Sequence, residues 1–204
     1  MLARLLVALT LFYSPALAQE TLELYAPPPP KDAAYVRVIE ISGKEQAALT
    51  LGAVTLPQVA GTVGAYALVT EGEYKVGELS VKIEAAHAYT LVTGGATPVL
   101  LEDPVSDNPA KAMLIFYNLT PAAELALTTA DGKTEVLTAV APNSQKSRAV
   151  NGISAALGIR TVSGSISALP ATELSRGRAY SIIATGSAEH PTVQLVENKV
   201  DLPE

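Results

Sequence analysis

The sequence contains no cysteine and no tryptophan, and only two histidines and two phenylalanines in 204 residues. Without cysteine there is no disulfide framework, no thiolate nucleophile and no cysteine-ligated zinc or iron–sulfur centre. Two histidines leave too little for a histidine-rich metal site, and no cofactor motif is present. Basic residues are in deficit. Fourteen Lys and Arg against 20 Asp and Glu give a formal net charge of −6, without the electrostatic footprint of a nucleic-acid or anionic-membrane binder. What is present is apolar: 49% of residues are hydrophobic and 17% charged, enough to bury a core.

Residues 1–18 read as a secretory signal. Arg4 supplies the positive start, Leu5–Tyr13 an apolar stretch too short to span a bilayer, and Ala16-Leu17-Ala18 a small-residue cleavage site. Cleavage there removes one positive charge. It predicts a periplasmic protein, with no membrane insertion of the mature chain. Residues 19–33 follow as an extended arm, stiffened by the polyproline run Pro27–Pro30.

From residue 34 the chain reads as short strands. Tyr35–Ile41 is β-branched and aromatic. Glu73-Tyr74-Lys75-Val76 alternates cleanly, which directs Tyr74 and Val76 inward, and Ala88–Thr93 and Val99–Leu101 close the set. Residues 104–109, with two Pro, Ser, Asp and Asn, read as a linker. Strands resume at Met113–Leu119 and Leu125–Thr129. Asp131-Gly132 then marks a hairpin turn before Lys133–Val140, and later runs include Ala179–Ala184 and Val193–Val196. Gly152–Gly158 reads as a loop. The halves resemble each other in order. Val36-Arg37-Val38-Ile39 matches Leu114-Ile115-Phe116-Tyr117, Ala88–Thr93 matches Ala179–Ala184, and Leu101-Glu102-Asp103 matches Val196-Glu197-Asn198. The expectation is an all-β protein of two tandem small β-sandwich domains, 34–103 and 110–198, with a tail at 199–204. Tyr89 and Tyr180 should occupy equivalent buried positions.

No catalytic constellation emerges. Ser187 and His190 share one stretch between two predicted strands, without a G-x-S-x-G elbow or an Asp shortly before the His. Glu84 and His87 would make an incomplete metal site. Asn118-Leu119-Thr120 matches the glycosylation sequon, a match that short sequences produce by chance. Of the tyrosines, Tyr25, Tyr35, Tyr66 and Tyr117 are the candidates for an exposed sugar platform. These observations leave a surface-acting protein. The candidate partner-binding residues are Tyr25, Pro27, Pro28, Pro29, Pro30 and Lys31 of the arm, together with Glu102 and Asp103 beside the linker. A stiff arm enters a groove at low ordering cost, and a linker sets the angle between domains.

Several ordered stretches carry a family resemblance: Leu24-Tyr25-Ala26-Pro27, Tyr35-Val36-Arg37-Val38, Leu101-Glu102-Asp103-Pro104, Leu125–Thr134 after Asn118-Leu119-Thr120, and Leu174-Ser175-Arg176-Gly177. Together they resemble the alginate O-acetylation accessory family, AlgF. The chain departs from the family at Val150–Ala155 and at Lys199–Glu204, where the family is more basic. The resemblance implies a non-catalytic periplasmic adaptor in the O-acetylation of an exported polysaccharide. Its expected partners are SGNH-type O-acetyltransferases, and the polysaccharide is a further candidate. The alternatives are an acetyl-transferring enzyme or acetyl carrier acting through a Ser, a free-standing polysaccharide-binding module, and the equivalent accessory protein of cellulose acetylation.

Overall fold

Residues 30–106, 108–121 and 123–201 are described by a computed structural model, and every regular element among them is a strand. The first half holds β1 (Ala33–Glu40), β2 (Leu49–Leu51), β3 (Val54–Leu56), β4 (Tyr66–Thr70), β5 (Gly72–Val76), β6 (Leu79–Ile83), β7 (Ala88–Thr93) and β8 (Val99–Asp103). The second holds β9 (Ala112–Asn118), β10 (Leu125–Thr129), β11 (Glu135–Val140), β12 (Ser144–Val150), β13 (Ser154–Ala155), β14 (Leu157–Arg160), β15 (Ile166–Ala168), β16 (Thr172–Glu173), β17 (Ala179–Gly186), β18 (Pro191–Glu197) and β19 (Val200–Asp201). The chain is all-β, as its alternation predicts.

The main sheet of the first half has the order β19-β4-β1-β7-β8, and a second sheet has the order β12-β9-β17-β18. Setting β19 aside, the two are the same sheet built twice. In each, a parallel central pair (β1 with β7, β9 with β17) is flanked by antiparallel edges. The register equates Val36 with Leu114 and Tyr89 with Tyr180, since Val36 lies opposite Tyr89 and Leu114 opposite Tyr180. Both tyrosines are buried, and their hydroxyls do the same job. Tyr89 Oη accepts the amide of Glu84 at 3.3 Å, and Tyr180 Oη that of Ser175 at 2.9 Å, each five residues upstream. Replacing either with Phe orphans a backbone N–H. Tyr89→Phe and Tyr180→Phe should each lower the unfolding free energy by about 1 kcal/mol in urea titrations; wild-type midpoints would show the hydroxyls to be idle.

The layers follow from which face each strand buries. Val36 and Val38 of β1, with Tyr89 and Leu91 of β7, pack on the hairpins β2–β3 and β5–β6 through Leu51, Leu56, Val76, Val81 and Ile83. Leu114 and Phe116 of β9, with Ile182 of β17, pack on the sheet β11-β10-β14-β15 through Leu127 and Ile159. The other faces meet each other through Ile39, Val92, Ile115, Tyr117, Leu119 and Ile183. The central strands are therefore buried on both sides, which is why they read as near-continuous apolar runs. The Asp131-Gly132 hairpin joins β10 to β11, with Gly132 at φ +71° and its amide on Thr129 O at 2.8 Å.

Residues 199–201 are more than a tail. Val200–Asp201 adds a parallel edge strand to β4 of the first sheet, and Tyr66 N donates to Lys199 O at 2.8 Å. β12 is the other departure. Ser144–Val150 is too polar to read as a strand, yet it pairs along β9 from Ala112 to Asn118. It is an edge strand whose Lys146 Nζ and Arg148 Nη1 reach carbonyls of β11 at 2.9–3.0 Å, closing an edge that would otherwise be open.

Candidate functional site

The partner residues expected from the sequence fall into three groups. Tyr25, Pro27, Pro28 and Pro29 lie outside the described residues, as do the expected leader and its expected cleavage site. Pro30 and Lys31 are exposed at the entry to β1, where Pro30 O accepts the amide of Ala33 at 3.1 Å. Glu102 is exposed and takes His87 Nδ1 at 2.7 Å. Asp103 departs from expectation. It is 4% exposed and ends β8, so it cannot serve as an accessible acid beside the linker. Tyr66 and Tyr117 are buried as well and offer no sugar platform.

The reason is a polar cluster sealed between the two sheets. Arg37, 1% exposed, donates from Nε to Thr90 Oγ1 at 2.9 Å, from Nη1 to Asn198 Oδ1 at 3.0 Å, and from Nη2 to Tyr117 Oη and Ser181 Oγ at 2.9 and 2.8 Å. Thr90 Oγ1 and Tyr117 Oη in turn donate to the Asp103 carboxylate at 2.5 Å each, and Tyr66 Oη donates to it at 2.7 Å. The cation and the anion are thus joined through hydroxyls, and each guanidinium nitrogen has an acceptor. The Tyr66 and Tyr117 rings also lie against the guanidinium, 4.4 and 5.4 Å from its carbon. Burial raises both phenols, Tyr117 to about 12 and Tyr66 further, against the opposing pull of Arg37. Both therefore stay protonated and remain donors at neutral pH. Its two charged groups are buried and it joins the halves, with Tyr66 and Asn198 reaching its accessible margin.

The accessible feature beside it is a groove of about 250 Å³ where the linker crosses the junction of the halves. Tyr35, Ala88, Pro104 and Val105 line it from the first half, Arg178 and Val200 from the second. Val105 and Val200 are among the few large apolar side chains left exposed, at 65% and 48%. Equivalent polar contacts stand at the head of β7 and of β17. His87 meets Glu102, and Arg178 Nε approaches Glu197 at 3.7 Å. The groove is smaller than an ordinary small-molecule pocket.

The remaining chemistry-bearing residues have structural partners. Ser187 Oγ accepts the amide of His190 at 3.1 Å within a turn. Glu84 pairs with Lys82 at 2.6 Å. No group of three His, Asp or Glu side chains that could hold a metal exists among the described residues. The sequon asparagine, Asn118, is buried. It donates to Ala123 O and Val140 O at 2.7 and 2.8 Å and accepts from Thr120 Oγ1 at 2.6 Å. It is the repeat counterpart of Glu40, which binds Ser42 in the same way, so Asn118-Leu119-Thr120 corresponds to Glu40-Ile41-Ser42.

Fold and site together define a class: an all-β protein of two like-built sheets locked face to face, with a shallow groove at their junction. The family model described as "Alginate O-acetyl transferase AlgF" matches residues 6–181. Proteins named alginate biosynthesis protein AlgF are 34% identical to this chain. The one from Pseudomonas fluorescens matches over 80% of this chain and 77% of its own length, and that from Azotobacter vinelandii over 81% and 78%. The one from Pseudomonas aeruginosa matches over 80% and 78%. A structure of the C-terminal domain of AlgF from P. aeruginosa is 32% identical, covers 44% of this chain and 99% of that one, and has a TM-score of 0.40. The chain belongs to the AlgF family.

Proposed function

We propose that this protein serves the O-acetylation of alginate as a periplasmic, non-catalytic adaptor that holds the acetyltransferases of the pathway. Family membership over most of the chain is the observation that carries the pathway. The adaptor role is supported by what the candidate nucleophile and base are doing. The Ser187 hydroxyl accepts the backbone amide of His190 within a turn, and among the described residues the His190 imidazole makes no hydrogen bond to it. The secretory pattern of residues 1–18, a basic start, an apolar stretch and Ala16-Leu17-Ala18, supports the periplasm. The groove at the linker is the docking point, because it gathers exposed apolar surface beside the Arg178–Glu197 ion pair and the His87–Glu102 contact.

Affinity capture from periplasmic extract tests this with three baits: the intact chain, a chain lacking residues 25–31, and Val105→Asp. Val105→Asp should reduce recovery of acetyltransferases about tenfold or more, since it places a charge in an apolar contact. If the arm deletion lowers recovery and Val105→Asp does not, the docking point is the arm. Recovery of no acetyltransferase by the intact chain defeats the adaptor reading. An acetyl-Ser adduct formed by the purified protein with an activated acetyl donor would make it an acetyl carrier or enzyme.

A further inference from the structure

The central interface has a symmetry that the chain connection does not require. β1 lies over β17, with Arg37 on Ser181, and β7 lies over β9, with Thr90 Oγ1 3.4 Å from Tyr117 Oη. β8 meets β12, where Gln145 Nε2 donates to Glu102 O at 2.8 Å. β18 meets the entry to β4, where Gln194 Nε2 donates to Gly61 O at 2.8 Å. Exchanging each strand for its repeat counterpart (β1 for β9, β7 for β17, β4 for β12, β8 for β18) turns each of these contacts into another of the set. That is the property of a two-fold, isologous interface, here made by two halves of one chain.

The side chains at equivalent positions have diverged. Arg37 corresponds to Ile115, Ile39 to Tyr117, Thr90 to Ser181, and Asp103 to Asn198. The first half brings both charges. The second brings Tyr117, Ser181 and Asn198, which take up three of the guanidinium's hydrogen bonds and complete the carboxylate's set. Two first halves paired in this way would bring in two guanidinium groups and no Tyr117. Two second halves would bring neither charge. A buried polar group most of whose partners sit on the intended mate, as three of Arg37's four hydrogen bonds do, rejects the wrong mate at little cost to the right one.

We propose that the outer faces of these two sheets are a mutual recognition surface, that the halves bind each other without the connecting segment, and that Arg37 makes the pairing one of unlike halves. The segment after Asp103 then only raises their effective concentration. This stands independently of the adaptor role.

The test inserts a protease-cleavage sequence after Ser106 and cuts the folded full-length protein. Size-exclusion chromatography and native mass spectrometry at low micromolar concentration should show one species, a one-to-one complex eluting where the uncut chain does. Arg37→Met in the cut protein should raise the dissociation constant about 30-fold or more. Tyr117→Phe keeps the ring and removes one bridging hydroxyl. It should weaken the cut complex several-fold, and it serves where Arg37→Met fails to fold. Separation of the wild-type pieces, their sorting into like pairs, or unchanged association in both variants would overturn the proposal.

Discussion

Arg37→Met should lower the unfolding free energy of the intact protein by about 3–5 kcal/mol, measured by urea titration at neutral pH. The cost does not equal the worth of the hydrogen bonds lost. Arg37 is the only cation in the cluster, and its removal strands the Asp103 carboxylate among Thr90, Tyr66 and Tyr117 with no positive charge to offset its burial. The double variant Arg37→Met/Asp103→Leu should therefore be less destabilised than the sum of its single variants, by about 1–3 kcal/mol. Additive effects would mean that the two charges do not feel each other through the bridging hydroxyls. A shift below about 1 kcal/mol in Arg37→Met would mean that water replaces the guanidinium, and that the cluster is less sealed than its geometry shows.

Very little of this cluster was readable in the sequence, and the reason is physical. Val36-Arg37-Val38 alternates as a half-exposed strand does, so Arg37 looks like a side chain facing solvent. Its face is covered by a second sheet more than seventy residues further along, and nothing local records that. Asp103 stands before Pro104 at a composition break, which looks like the edge of a linker; in fact it is the last residue of β8, turned inward. A signal did exist in the repeat. Asp103 aligns with Asn198 and Thr90 with Ser181, and polar pairs kept at matching places in two apolar strands point to a shared polar interior.

The strands themselves were legible where burial on both sides leaves an apolar run, as in β1, β7, β9 and β17, and where a turn is marked, as at Asp131-Gly132. β12 was missed because an edge strand can carry Gln145, Lys146 and Arg148 with no loss of pairing, so its composition contains no strand signal. Tyr66 and Tyr117 read as candidate surface rings because aromatic residues with a hydroxyl suit both a wet platform and a buried donor. Which it is depends on whether an acceptor waits inside, and Asp103 supplies it.

A pH dependence of stability is expected at Glu40, the first-half counterpart of Asn118. Its carboxylate accepts the amides of Ser42, Gly43 and Gly61 at 2.7, 3.1 and 3.1 Å and the Ser42 hydroxyl, fastening two loops to the end of β1. Burial pushes its pKa up, but the donors outweigh burial and hold it below the ordinary 4.5. A carboxylate lowered on folding contributes stability above its unfolded value, and loses it as the pH falls through the folded one. Glu40→Gln should thus be less stable than the wild type at pH 6, with the gap closing below about pH 4.5; a gap that stays constant down to pH 3 would exclude the carboxylate as its source. The clamp also explains Gly94. This residue sits at φ +85°, and a Cβ there would run into Glu40 Oε1 and lie 2.7 Å from the Ser42 amide nitrogen. Gly94→Ala combines a left-handed backbone with expulsion of the carboxylate from its donors, and should cost roughly 2–4 kcal/mol at neutral pH. In Glu40→Gln/Gly94→Ala the charge is already gone. Gly94→Ala should then cost less in that background, and the saving should fade at low pH. No saving at either pH would place the cost in the clash with the Ser42 backbone, independent of the carboxylate.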